Sequence, residues 1–341
     1  MFTISPRDVP VEVTKVISAG LVPLITASPG VGKSAIVAQV ARQHNLKMID
    51  IRLSQCMPED LNGLPIRQGN KATFTPYDMF PIESDEIPDG YDGWMIFLDE
   101  LTSATKPVQA AAYKLILDKM VGSFKLHSHV AMVAAGNKIT DKAIVHQMST
   151  ALQSRVVHYE METNAKDFIA YALANDFDHR ITGFLSFQPA KVMDFRPDHT
   201  DKTFACPRTW EFLSRLIKGD EVSPKIGARI AGTVGQGCAV EFIAFAQEYD
   251  NIPKFDDIIA NPTGAKVPPE PSTKYATISM LLHNVTKTNI GDVITYLSRF
   301  PIEIQVIFCR GIGARHPTMH SAFGSNTPFD TYMSKMVRYL N

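Results

Sequence analysis

Cysteine is scarce and dispersed: Cys56, Cys206, Cys238 and Cys309 are the only four in 341 residues. No two form a CxxC pair, so neither a structural zinc site nor a disulfide framework is indicated, and the thiols are expected to be reduced and buried. Long apolar runs are missing too, and none approaches the roughly 20 residues that a membrane-spanning helix needs. The opening residues Met1-Phe2-Thr3-Ile4-Ser5-Pro6 lack the charged-then-apolar layout of a signal peptide, so a cytoplasmic location is expected. Neither sign of charge is in excess, since 34 Lys and Arg stand against 35 Asp and Glu for a formal net charge of -1. Bulk attraction to nucleic acid or to an anionic membrane is therefore not indicated, although a neutral total is compatible with a local basic groove. Internal repeats and low-complexity tracts are also absent. What is present, 45% hydrophobic and 20% charged residues, is a globular composition long enough for two domains.

The most informative stretch is Ala27-Ser28-Pro29-Gly30-Val31-Gly32-Lys33-Ser34, preceded by the apolar run Leu21–Ile25 and followed by the helix-like Ala35–Ala41. The order strand, glycine loop, helix is a phosphate site in physical terms. Gly30 and Gly32 let backbone N–H groups turn inward around an anion, and a helix N-terminus beginning near Lys33 adds partial positive charge at the same place. Lys33 is then placed to reach the β- and γ-phosphates of ATP, and the Ser34 hydroxyl to join a Mg²⁺ shell. The expected nucleotide-contacting residues are Pro29, Gly30, Val31, Gly32, Lys33, Ser34 and Ala35. Ala27 stands where the full GxxxxGKS pattern has its first glycine, so the turn there must avoid positive φ. An ordinary glycine-containing strand-to-helix turn is the plainer alternative.

Other signals fall in chain order around this loop. Pro10–Ala19 reads as a short helix ending at Gly20, and Lys47–Leu53 as a second strand. From Ser54 to about Asp92 the chain is punctuated by prolines 58, 65, 76, 81 and 88 and glycines 63, 69 and 90. That pattern suggests an inserted hairpin and surface loops. Trp94-Met95-Ile96-Phe97-Leu98-Asp99-Glu100 is an apolar strand ending in two acids. In an ATP-hydrolysing site Asp99 would hold Mg²⁺ through its water shell and Glu100 would polarise the attacking water, whereas alone such acids also cap helices. A helix follows, with Thr102 or Ser103 as its cap and Val108, Ala111, Ala112, Leu115 and Ile116 at helical spacing. The strand His129–Ala135 leads to Gly136-Asn137. This puts Asn137 at the carboxyl edge of a parallel sheet, where its amide can serve the attacking water and the γ-phosphate or simply a turn.

Taken together these motifs resemble an AAA+ ATPase of the MoxR type over roughly residues 10–217. The resemblance rests on the glycine loop, Leu98-Asp99-Glu100-Leu101-Thr102 with Pro107-Val108-Gln109-Ala110-Ala111, and Gly136-Asn137 as a sensor-1 asparagine. Leu53–Gly63 is similar to the segment entering the family's helix-2 insert. The resemblance implies an α/β P-loop NTPase core with a central parallel sheet over 1–162, carrying an insert at 54–92. An all-helical AAA+ lid over 163–300 and a C-terminal extension over 301–341 would follow. It also places Arg155, in Ser149-Thr150-Ala151-Leu152-Gln153-Ser154-Arg155, as an arginine finger for a neighbouring subunit. Val156 stands where the family often has phenylalanine. Arg208, in Cys206-Pro207-Arg208-Thr209-Trp210, matches the lid's sensor-2 arginine. Each of these arginines also fits a plainer part, in a surface ion pair or a helix start.

The implied activity is Mg²⁺-dependent ATP hydrolysis by a homo-oligomeric, hexameric ring that remodels a protein client, with a von Willebrand factor A domain partner implied by family alone. A nucleic-acid-stimulated motor and a nucleotide-gated scaffold are the alternatives. The insert's Arg67 and Lys71 are outnumbered by Glu59, Asp60, Asp78, Glu83, Asp85 and Glu86, which argues against a phosphate-tracking surface there. Beyond Gly219 the resemblance thins. Residues 226–249, 275–282 and 290–300 read as helical, and 253–271 as a proline-rich connection. His316 and His320 are spaced one helical turn apart, but Pro317 between them and the lack of an acidic partner speak against a metal pair.

Overall fold

The strands Val22–Thr26 (β2), Gly93–Asp99 (β6) and Val130–Gly136 (β9) are apolar on both faces and almost wholly buried. Such strands need cover on both sides, which parallel sheets obtain from the helices that connect them. The computed structural model describes residues 2–141, 146–198, 201–318, 323 and 327–340. It divides into two units, 1–163 with 196–198, and 164–195 with 199–341.

In the first unit β2, β6 and β9 join Thr3–Ile4 (β1), Leu46–Arg52 (β3) and Val156–Met161 (β10) in a six-stranded sheet of order β1-β10-β2-β9-β6-β3. Every pairing is parallel. The register sets Arg52 beside Asp99, and both Leu24 and Leu98 beside Ala134. The loop after β2, the acids Asp99 and Glu100 at the end of β6 and the asparagine after β9 therefore lie at one carboxyl edge of the sheet. Leu24, Ile96 and Leu98 share a core with Val108, Ala112 and Leu115 of the helix Lys106–Asp118 (α4). Ile25, Met95, Phe97 and Val133 alternate to the opposite face and are fully buried. Helices Val9–Ser18 (α1) and Lys33–Gln43 (α2) complete the elements around this edge.

The punctuated stretch after β3 contains the short helix Pro58–Asn62 (α3) and an antiparallel hairpin, Leu64–Gln68 (β4) with Lys71–Thr75 (β5), turned at Gly69 with φ 62°. A second small hairpin pairs Met120–Val121 (β7) with Phe124–Lys125 (β8). One expectation is corrected here. Neither Thr102 nor Ser103 caps α4, because residues Leu101–Ser103 form a separate 3₁₀ turn and the helix starts after Thr105. The Thr102 hydroxyl is committed elsewhere, to the backbone of Asn137.

The second unit contains helices and no strand among its described residues. It comprises Ala165–Ala174 (α6, after the short α5 at Thr150–Gln153), His179–Phe187 (α7), Pro207–Ile217 (α8), Gly227–Val234 (α9) and Gln236–Gln247 (α10). Phe255–Ala260 (α11), Pro271–Asn284 (α12), Ile290–Leu297 (α13), Ile302–Arg315 (α14) and Thr327–Leu340 (α15) follow. The helix expected over 226–249 is broken by Gly235, whose φ of 89° no L-residue adopts easily. The connection over 253–271 contains α11. Residues of α14 and α15, among them Phe308, Ile312, Phe329 and Met336, enter the same core as Trp210, Phe184 and Phe242. Trp210 meets Phe184 and Phe242 at ring separations of 5.7 and 5.9 Å and donates its indole N–H to Lys191 O at 2.8 Å.

Cys206, Cys238 and Cys309 are buried free thiols, Cys238 pushed up to about 12 by burial, while Cys56 is only half-buried. The His316 ring lies against Phe323 at 5.1 Å. His320 lies outside the described residues. Among those residues no helix is long and apolar enough to cross a membrane.

His179 gives this unit a pH signature. Its ring stacks on His283 at 5.0 Å and meets Tyr249 edge-on at 5.1 Å. Burial drives its pKa from 6.5 down to about 4, with Asp178 opposing and His283, Arg180 and Arg315 reinforcing. A base whose folded pKa is depressed contributes stability that is present above pH 6.5 and lost as pH falls toward 4. The loss is at most on the order of 3 kcal/mol, and less for a side chain still 28% exposed. Thermal melts across that window are expected to fall more steeply for the natural chain than for His179→Gln. Parallel curves would remove His179 as the cause.

Candidate functional site

Gly30 and Gly32 have φ of 79° and 94°, so the loop turns as its sequence requires, and Gly32 is the residue before α2. No acidic residue occupies the first turn of α2 and no side chain caps it, which leaves a positive helix end at Lys33, Ser34 and Ala35. Ala27 is fully buried and avoids the left-handed region, and its N–H donates to Gly136 O at 3.2 Å. Alanine is therefore tolerated because the strand-end bond, not a glycine conformation, makes the turn.

Four of the sequence-predicted residues converge at this edge. Lys33 Nζ donates to Ala27 O at 2.9 Å, to Ser28 O at 3.3 Å and to Asn137 Oδ1 at 3.1 Å. Ser34 Oγ donates to Asp99 Oδ2 at 3.4 Å. The Glu100 N–H donates to Asp99 Oδ1 at 2.8 Å. Glu100 itself is not a strand residue. It sits in the left-handed region with φ 58° and ψ 31°, and its carboxylate accepts from the Ser54 hydroxyl. A non-glycine residue there costs about 1–2 kcal/mol, a strain that turns the second acid away from the line of the strand.

The negative field at this edge is visible in a neighbour. Asp50 of β3 is held above the usual carboxylate range, first by burial and then by Asp99, with Arg52 working against both and Glu100 adding a smaller push. A divalent cation would find two hard oxygen donors, Ser34 Oγ and Asp99 Oδ2, already side by side.

The two arginines are placed differently. Arg155 directly follows the turn after α5, and its guanidinium lies over the Tyr113 ring of α4 at 4.6 Å. Nη1 donates to Ala151 O at 2.6 Å and to Ser154 Oγ at 2.8 Å, while the buried Nε has no hydrogen-bond partner among the described residues. Arg155 is thus held by its own segment and by Tyr113, not by the loop cluster. Arg208 is exposed in the first turn of α8, in the helical unit.

Motif and spacing give no role at the site to Ser54, Tyr113 or Gln109, and mark Thr102 only as a helix cap. Ser54 comes into view only through the strand register, which sets Arg52, two positions before it, beside Asp99.

Residues 23–161 match the family described as "ATPase family associated with various cellular activities (AAA)". The chain has no match among curated protein sequences. Among solved structures it is similar to NtrX from Brucella abortus, at 12% identity and TM-score 0.41, over 94% of this chain and 68% of that one. It is also similar to a point mutant of RuvB from Thermotoga maritima, at 13% identity and TM-score 0.36, over 98% of this chain and 89% of that one. A candidate ATPase from Cytophaga hutchinsonii matches at 12% identity and TM-score 0.35, over 96% and 88% of the respective chains.

Proposed function

We infer that residues 23–161, which match the AAA ATPase family, form an ATPase domain whose cluster of Lys33, Ser34, Asp99 and Asn137 binds and hydrolyses Mg²⁺–ATP. The observation that carries this reading is the pair of contacts Ser34 Oγ–Asp99 Oδ2 and Lys33 Nζ–Asn137 Oδ1, both at the carboxyl edge of one parallel sheet. The β- and γ-phosphates would rest on the N–H groups of Gly30 to Ala35, with Pro29 and Val31 shaping the loop. Lys33 would move its donors from the carbonyls of Ala27 and Ser28 to phosphate oxygens. Ser34 and Asp99 fit a Mg²⁺ ion, which when bound neutralises charge developing on those oxygens. Glu100 takes a proton from water as its oxygen attacks the γ-phosphorus, the bond to the bridging oxygen breaks, and ADP and phosphate leave. Asn137 orients that water.

The finer reading is a MoxR-like ring, hexameric and cytoplasmic, in which Arg155 completes a neighbour's site and hydrolysis remodels a protein client. A von Willebrand factor A domain partner accompanies this reading by family alone. What supports it is the hairpin of β4 and β5, which falls within residues 54–92, where the resemblance implies an insert, and leaves Leu64, Ile66 and Phe74 exposed as apolar contact area. The direct test is ATP turnover by the purified chain with and without Mg²⁺, beside nucleotide binding to Lys33→Ala. Removing one charged donor is expected to weaken binding by about 10- to 100-fold. Turnover indifferent to Mg²⁺, or unchanged binding in the variant, would overturn the assignment of the site.

A further inference from the structure

Thr102 is only 5% exposed, yet its hydroxyl makes two bonds to a single residue of another strand end. Oγ1 accepts from the Asn137 N–H at 2.9 Å and donates to Asn137 O at 3.2 Å. The residue before, Gly136, approaches so closely that a Cβ there would lie 2.5 Å from Thr102 Oγ1 and Cγ2. The Thr102 carbonyl in turn accepts from His146 N–H at 2.7 Å. Gln109, also 5% exposed, holds the turn from behind. Its amide nitrogen lies 3.3 Å from Leu101 O, 3.2 Å from Ala104 O and 3.4 Å from His146 O. The turn carrying Glu100 is thereby tied, through one hydroxyl, to the residue whose side chain faces Lys33.

We propose that Thr102 is a positioning residue for hydrolysis, its hydroxyl clasping the Asn137 peptide so that Glu100 and the Asn137 amide address the same water. This rests on the ATPase reading of the site. The clasp acts on the backbone on both sides of the Asn137 side chain, so its loss lets the amide swing about the peptide while Lys33, Ser34 and Asp99 stay in place. Phosphate binding is then spared and alignment is not. A misplacement of about 1 Å costs on the order of 100-fold in rate.

The test uses the full chain and three variants of this position. Thr102→Val keeps the shape and removes the hydroxyl, Thr102→Ser keeps the hydroxyl, and Thr102→Ala serves if the valine variant fails to fold. The expected result is a kcat about 10- to 100-fold lower in Thr102→Val, with KM and ATP affinity within about twofold, and most of the rate restored in Thr102→Ser. In an Asn137→Ala background Thr102→Val should add little, because coupled residues are not additive. Natural turnover in Thr102→Val, or the same loss with and without Asn137, would overturn the clasp while leaving the ATPase reading intact. A natural chain without turnover would overturn the reading of the site, and the clasp with it.

Discussion

Arg155→Ala is expected to lower ATP turnover by about 10³- to 10⁵-fold, the range an arginine finger supplies, while nucleotide affinity stays within about threefold of the natural chain. Arg155 shares no hydrogen bond with Lys33, Ser34, Asp99 or Asn137. Its Nη1 is on Ala151 O and Ser154 Oγ, and its plane lies over Tyr113. A guanidinium fixed by its own segment and by a ring is pre-oriented, and it retains donors for a phosphate brought by a neighbouring copy. Turnover per chain should then rise steeply with protein concentration. It should survive Tyr113→Phe, which keeps the ring, and fall in Tyr113→Leu by less than in Arg155→Ala. A flat concentration profile with an Arg155-independent rate would mean that each chain hydrolyses alone, and the shared-site mechanism would be wrong.

What is legible in the sequence, and what is not, follows from the range of each interaction. The glycine loop is local: positive φ at Gly30 and Gly32 and the helix that starts at Lys33 are properties of eight consecutive residues. The strand ending in Asp99 is equally local, and a parallel order then brings the ends of β2, β6 and β9 to one edge. Ser54, Thr102 and Tyr113 act through partners 46, 35 and about 40 positions away. Nothing in periodicity or spacing distinguishes a hydroxyl that caps the next helix from one that clasps a distant strand end. Sequence alone favours the first for Thr102, because a cap is the commoner use of threonine before a helix, and α4 instead begins after Thr105. The helical unit is harder for another reason. Ala276, Thr277, Ile278 and Ser279 of α12 are all buried, so this central helix shows no amphipathic stripe. Phe308, Ile312, Phe329 and Met336, from α14 and α15 near the C-terminus, also lie in the core.

Glu100→Gln separates binding from chemistry more sharply than any other single change. Turnover should fall by about 10²- to 10⁴-fold, the contribution of a positioned general base, while ATP affinity remains near that of the natural chain. Glutamine is the informative substitution because its side-chain oxygen can still accept from Ser54, so the left-handed turn at Glu100 and the clasp beyond it keep their geometry. Only basicity is removed. Alanine would also release the Ser54 hydroxyl and confuse the two effects. Single-turnover measurement with pre-bound ATP reads the chemical step directly, and a loss smaller than about tenfold would exclude Glu100 as the base. The same variant tests the remodelling reading independently, since a chain arrested with ATP bound should retain its protein client. Capture no better than with Lys33→Ala, which is expected to bind ATP about 10- to 100-fold more weakly, would leave an ATPase without evidence of a client. A weak Glu100→Gln effect beside a strong Lys33→Ala effect would instead describe a nucleotide-gated scaffold. The two losses compared in one preparation therefore decide between a machine that turns over and one that only binds.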